Sequence, residues 1–244
     1  MKFKKPPIVE AICEFRFSKE TQWDPTIPGS VYEKVKDQFP HKESRLDPQV
    51  IMKTEETGFN QNPVASQRVL MLSGDRSSLI QVGPHLLSIN QLKPYAGWEH
   101  FRPKIKRAYE TLGGITEING IDRMALVYID RIEIPGKRVK IEDYFKFYPK
   151  LGMELPHAHT NFVVGVEFPY NEKRDSCRLQ LTSAMATVKD HLAVLLTTEY
   201  YLVKQKSVSP DKALDWMEDA HTQVRALFKG CITENLEDLF ERLD

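Results

Sequence analysis

Three groups of side chains carry residue types that can do chemistry. In Ile8–Phe17, Glu10, Glu14 and Arg16 fall at even spacing, so an extended backbone sets two carboxylates and a guanidinium on one face. Asp130, Arg131 and Glu133 form a second group in the β-prone run Met124–Ile134. Paired carboxylates perform acid–base work when their surroundings split their pKa values. The same pattern also arises on a solvated strand face with cross-strand ion pairs. The third group lies between Gln81 and Trp98. Here Ser88 and Asn90 share a strand face, with Lys93, Tyr95 and Trp98 just beyond. An amide, an amine and aromatic rings can hold a planar or anionic ligand. Asn90 and Tyr95 can equally serve to satisfy backbone groups at a strand-to-helix junction.

No residue stands out as catalytic. The chain has no Walker loop, no GxSxG and no HExxH, so no cofactor is expected. Pro156-His157-Ala158-His159 sets two histidines two apart without a third ligand at strand or helix spacing, so no metal site is expected. Cys13, Cys177 and Cys231 are odd in number, far apart and without CxxC spacing, which fits reduced, buried thiols. The basic N-terminus leads into a strand-length apolar run interrupted by Glu10 and Glu14, unlike a signal peptide. No apolar run reaches membrane-span length. The expected address is the cytoplasm, with no membrane association.

The elements that must position these groups follow from periodicity. Val9, Ala11, Cys13, Phe15 and Phe17 alternate with the charged row, giving a half-buried strand. Ser30 with Glu33 three residues on predicts a capped helix carrying Val31, Val35 and Phe39, stopped by Pro40. Strands are expected at Val50–Thr54, Val69–Ser73, Leu79–Val82 and Leu86–Leu92, the last three joined as antiparallel hairpins, with Glu55–Gln67 a mobile polar loop. Trp98, Phe101, Ile105, Ala108 and Leu112 mark an amphipathic helix ending at Gly113-Gly114. The second half predicts a strand at Met124–Ile134, a short helix at Ile141–Phe147 and strands at Phe162–Phe168, Arg178–Met185 and Ala193–Val203. A helix opening at Ser209-Pro210 and closing at Gly230, then a short one over Thr233–Leu243, complete it.

This order suggests an α+β protein of two tandem strand–helix–strands–helix repeats, residues 1–118 and 119–244, fused into one unit. Trp98 to Thr116 matches Trp216 to Thr233 as a helix with an early Trp and a Gly end. The expected architecture is a curved, mainly antiparallel sheet with helices on one face, as in TATA-binding-protein-like folds. The first strands of the halves would then meet at the centre, and the uncovered face is the default site.

Lys4-Lys5-Pro6-Pro7-Ile8-Val9-Glu10-Ala11-Ile12-Cys13-Glu14-Phe15-Arg16-Phe17 resembles the start of an uncharacterised prokaryotic family described only as sporadically distributed proteins. Gln81-Val82-Gly83-Pro84, Asn90, Pro94-Tyr95 and Gly97-Trp98-Glu99-His100-Phe101 are similar to its central motif. Tyr128-Ile129-Asp130-Arg131-Ile132 is similar to its second-half strand, with Asp130 where Asn is the more usual residue. The resemblance spans essentially the whole chain. It implies no activity and no catalytic residues; the patchy distribution implies mobile genes, pointing toward phage defence or toxin–antitoxin-like systems.

In the 244-residue chain, 34 basic residues balance 34 acidic ones. That disfavours a general nucleic-acid or membrane-surface binder, a local basic patch aside. The expected function is a non-enzymatic binding or regulatory module for a protein partner or small molecule, with a homodimer left open. Its expected ligand residues are Glu10, Glu14, Arg16, Asn90, Lys93, Tyr95, Asp130 and Arg131. The alternative is an enzyme acting on a nucleotide or nucleic acid through a convergence of Glu10, Glu14, Asp130 and Arg131.

Overall fold

The computed structural model describes residues 3–55, 58–156 and 160–243. The strands are β1 (Ile8–Phe17), β2 (His41–Glu55), β3 (Gly58–Leu72), β4 (Ser78–Gly83), β5 (Leu86–Leu92), β6 (Ile121–Pro135), β7 (Val163–Tyr170), β8 (Asp175–Ala184) and β9 (His191–Leu202). Among the described residues these form one nine-stranded antiparallel sheet, ordered β2-β3-β4-β5-β1-β6-β9-β8-β7. The helices are α1 (Ile27–Val35), α2 (Trp98–Gly113), α3 (Ala213–Cys231) and α4 (Glu234–Leu239).

The expected pair of strand–helix–strands–helix repeats is not what forms. The molecule is one large, sheet-dominated structure whose second half lacks the helix that the repeat requires. Ile141–Phe147 yields only a 3-10 turn at Ile141–Asp143. Seven residues ahead of Pro149 are too few to offset the cost of nucleating an α-helix, and Phe145 is instead buried at a bridge to Ile232. The first half also has five strands against four in the second. Where a loop was expected over Glu55–Gln67, β2 and β3 pair from His41 opposite Leu72 to Glu55 opposite Gly58. β4 joins only at Val69–Leu72. Beyond that point no third strand joins the ladder among the described residues, so periodicity carries little signal there. The matching Trp-to-Thr helices are thus similar elements in dissimilar surroundings.

Boundaries shift as well: the strand expected at Val50–Thr54 runs over His41–Glu55, that at Arg178–Met185 over Asp175–Ala184, and the helix expected from Ser209-Pro210 starts at Ala213. α1 starts at Ile27 after Thr26, because Asp24 Oδ1 accepts from Thr26 N at 2.7 Å and from its hydroxyl at 2.5 Å, and Pro28 suits the first turn. Ser30 is therefore inside the helix rather than its cap. β6 begins at Ile121, three residues before the expected Met124, which brings Arg123 into the sheet.

The core lies between one sheet face and the helices. Ala11, Cys13, Phe15 and Phe17 of β1 pack with Val31 of α1, Phe101, Ile105 and Leu112 of α2, and Trp216 and Ala220 of α3. A second cluster sets Ile132, Leu181, Val194 and Leu196 against Leu236 and Phe240 near α4. Each fully buried Val, Leu, Ile or Phe among them contributes about 1.5–3 kcal/mol on burial. β1 pairs β5 on one side and β6 on the other, so the sheet is continuous through the middle of the chain. None of the described helices is long and apolar enough to cross a membrane.

Candidate functional site: the uncovered sheet face

The row opposite the core, Glu10, Ile12, Glu14 and Arg16, faces away from the helices. Register extends it across the sheet. Asn90, Ile12, Val127, Glu199, Arg178 and Glu167 lie side by side on six successive strands, β5 to β7. The next row sets Ser88, Glu14, Ala125, Tyr201 and Ser176 together. Ile12, Val127 and Ile129 are half-buried at the centre of the face.

On one side of this apolar centre is an amide network. Asn90 Nδ2 donates to Glu10 Oε1 at 2.8 Å, while Asn90 Oδ1 accepts from Gln81 Nε2 at 3.0 Å and Ser88 Oγ at 3.1 Å. On the other side is a band of alternating charge. Arg16 Nε donates to Glu14 at 2.8 Å, and Arg123 reaches Glu14 at 3.2 Å and also Glu199. Arg178 links Glu199 at 3.4 Å to Glu167 at 3.3 Å. Tyr201 donates to Glu167 at 2.6 Å, with Arg123 and Arg178 at 5.1 and 5.5 Å from its ring centroid. Hydrogen bonds from Tyr201 and Ser176 hold the Glu167 carboxyl below its usual range. Arg123, Tyr201 and Arg178 are each restrained from several sides, so little rotamer freedom remains to be lost on contact.

At one end the face runs into an open cleft of about 510 Å³, walled by β1, the β4–β5 turn, and the ends of β6 and β9.

The expected site residues divide between the two faces. Glu10, Glu14, Arg16 and Asn90 come together on the uncovered face. Arg131 is also there but is paired with Glu133 at 2.8 Å, away from the band. Hydrogen bonds from Arg131 and Thr187 hold the Glu133 carboxyl at about 2. Lys93 is exposed beyond the end of β5. Asp130 and Tyr95 belong to the covered side. The Tyr95 hydroxyl meets that of Tyr128 at 2.9 Å, and His221 stacks on Trp98 at 4.2 Å. Burial, then Arg225, pushes the His221 imidazole down to about 4. Asp130 is 2% exposed, its Oδ1 has no partner, and burial pushes its carboxyl up to about 8. Alternation along β6 sets its side, because Leu126, Tyr128, Asp130, Ile132 and Ile134 are buried in turn, while the bulge in the pairing lies in β1 between Ile8 and Glu10. Glu10, Glu14, Asp130 and Arg131 therefore do not converge, and the acid–base centre expected of them does not form.

Sequence reasoning missed Arg123, Arg178, Glu167, Glu199 and Tyr201. The last four alternate with apolar residues in the runs that fold as β7, β8 and β9, a signal as strong as that of β1. His157 and His159 lie outside the described residues; among those described, no cluster of His, Cys, Asp and Glu could hold a metal ion. Comparison with protein-family models and with curated proteins finds no match to this chain.

Proposed function

We propose that the chain is a non-catalytic binding module that seats a protein partner on the uncovered sheet face. What supports this reading most is the restrained Arg123–Tyr201–Arg178 cluster beside the half-buried Ile12, Val127 and Ile129. Arg and Tyr anchors at an apolar centre, ringed by polar groups, are the composition that concentrates binding energy in protein interfaces. Pre-organisation lowers the entropy lost on docking. The balanced signs of the band match a mixed-charge protein surface better than a polyanion. The family resemblance extends the proposal to a regulatory role in a prokaryotic defence or toxin–antitoxin-like system.

Affinity capture from source cells tests the reading differentially. A partner should be recovered with the wild type and with Lys106→Gln on exposed α2. Ile129→Asp and Arg178→Glu should each lower recovery by about 10-fold or more, the scale of a lost hot spot. Equal recovery with all four proteins would refute the face as the docking surface.

A further inference from the structure

β7 ends the sheet, so one side of its backbone meets β8 and the other meets no strand among the described residues. The Phe162 carbonyl accepts from Ser183 N at 3.1 Å, which sets the phase along the strand. Val164, Val166 and Phe168 therefore direct their backbone groups at β8, while Val163, Gly165, Glu167 and Pro169 direct theirs outward. Pro169, which has no N–H, falls in the outward set, so the β8 ladder loses no donor to it.

Folded proteins blunt a free edge with charge, a bulge or a short strand. At the opposite edge of the sheet, β2 carries Lys42, Glu43 and Arg45 near its start. β7 instead opens with Val163-Val164-Gly165-Val166, a run without charge, and pairs with β8 in one unbroken register. Its one carboxylate, Glu167, is held by Ser176 at 3.0 Å and by Arg178 and Tyr201. Val163 is 68% exposed on the uncovered side of the sheet, and Val166 is 41% exposed on the covered side. A bare β-branched edge of this kind invites another strand.

We propose that the β7 edge is a dimer interface, at which a second copy of this chain pairs antiparallel and joins the two sheets into one. The strand is its own complement. A two-fold axis at Val166 sets Val166 on Val166, Val164 on Phe168, Val163 on Pro169 and Gly165 on Glu167 of the second copy. The first two pairs extend the apolar covered side, where Val164 and Phe168 already border the core. Gly165 leaves room opposite the Glu167 carboxylate, and each Glu167 keeps its own Arg178, so no unpaired charge is brought to the axis. The outward N–H groups of Gly165 and Glu167 gain carbonyls of the second copy, and that of Val163 gains the Pro169 carbonyl. Pairing of β7 with itself closes on the two-fold, whereas pairing it with β2 would grow open chains. The charges of β2 oppose that second arrangement. The edge is separate from the docking face around Ile129, because Val166 points to the covered side.

Analytical ultracentrifugation of the whole chain tests it. Dimer should dominate at about 100 μM chain, with no larger species, and dissociate on dilution, as a small interface would. Val166→Lys sets two ammonium groups against each other at the axis, and Gly165→Pro removes an outward N–H without touching the β8 ladder. Each should weaken dimerisation about 10-fold or more, while Lys106→Gln dimerises as wild type. On mild oxidation Val166→Cys should give a disulfide-linked dimer and Lys106→Cys on exposed α2 should not. A monomer at that concentration, growth beyond the dimer, dimerisation unchanged in both β7 variants, or Val166→Cys cross-linking no faster than Lys106→Cys would each overturn the proposal. If the variants fail to fold, hydrogen exchange of the wild type decides. Exchange at the Val163, Gly165 and Glu167 amides should slow as chain concentration rises, and exchange independent of concentration overturns the interface.

Discussion

The uncovered face pairs its carboxylates with guanidinium groups, whereas on the covered face Asp175 has Arg174 but Asp130 has no ion pair. On the uncovered face Glu14, Glu199 and Glu167 each meet a guanidinium, and every charge in the band has a partner. On the covered face, Asp130 is buried without an ion pair and its Oδ1 is unpartnered, so its carboxyl is held largely protonated near neutrality. One sheet thus keeps carboxylates ionised where guanidinium groups and water are near and suppresses ionisation where neither is.

Removing apolar bulk from the covered face should have the largest effect. Phe101→Ala empties a fully buried site between α2 and the sheet and should cost about 3–5 kcal/mol in urea unfolding. An exposed-face truncation of equal size should not.

Asp130 sharpens the comparison through pH. Its folded pKa, about 8, lies above the ordinary 3.8, so between these values the folded state holds a proton that the unfolded state has released. Stability is therefore full below about pH 4 as far as this group is concerned, and is lost as pH rises toward 8. The gap corresponds to as much as about 6 kcal/mol. Asp130→Asn should flatten that slope, so that the variant gains on wild type between pH 4.5 and 8 in urea midpoints. A slope identical in both proteins would assign the dependence elsewhere.

On the uncovered face the effects should be smaller. Arg123→Ala leaves the part-buried Glu14 and Glu199 short of a partner and should cost about 1–2 kcal/mol. Arg178→Ala, whose pair with Glu167 is half exposed on both sides, should fall within about 0–1 kcal/mol and shrink further in salt. A double-mutant cycle between the two positions would measure how far the band acts as a unit.

Much of this contrast was legible in the sequence. Alternation in Ile8–Phe17 named both the core row and the charged row of β1, and Trp98 to Leu112 outlined α2 to within a residue at its end. The repeat was not legible, because matching helix ends do not report whether intervening segments are long enough to nucleate a helix. The side taken by Asp130 was legible but overlooked, since it alternates in phase with the buried Leu126, Tyr128, Ile132 and Ile134 and out of phase with Arg131 and Glu133. Arg123 escaped notice because β6 was expected to start one residue after it.

Hydroxyl-radical footprinting of the chain, free and with its captured partner bound, tests the central claim most directly. Docking on the uncovered face should protect Tyr201, Ile12, Val127 and Ile129 and leave labelling of exposed α2 and α3 side chains unchanged. Protection confined to the helices, with Tyr201 and Ile129 labelled equally in both states, would contradict it.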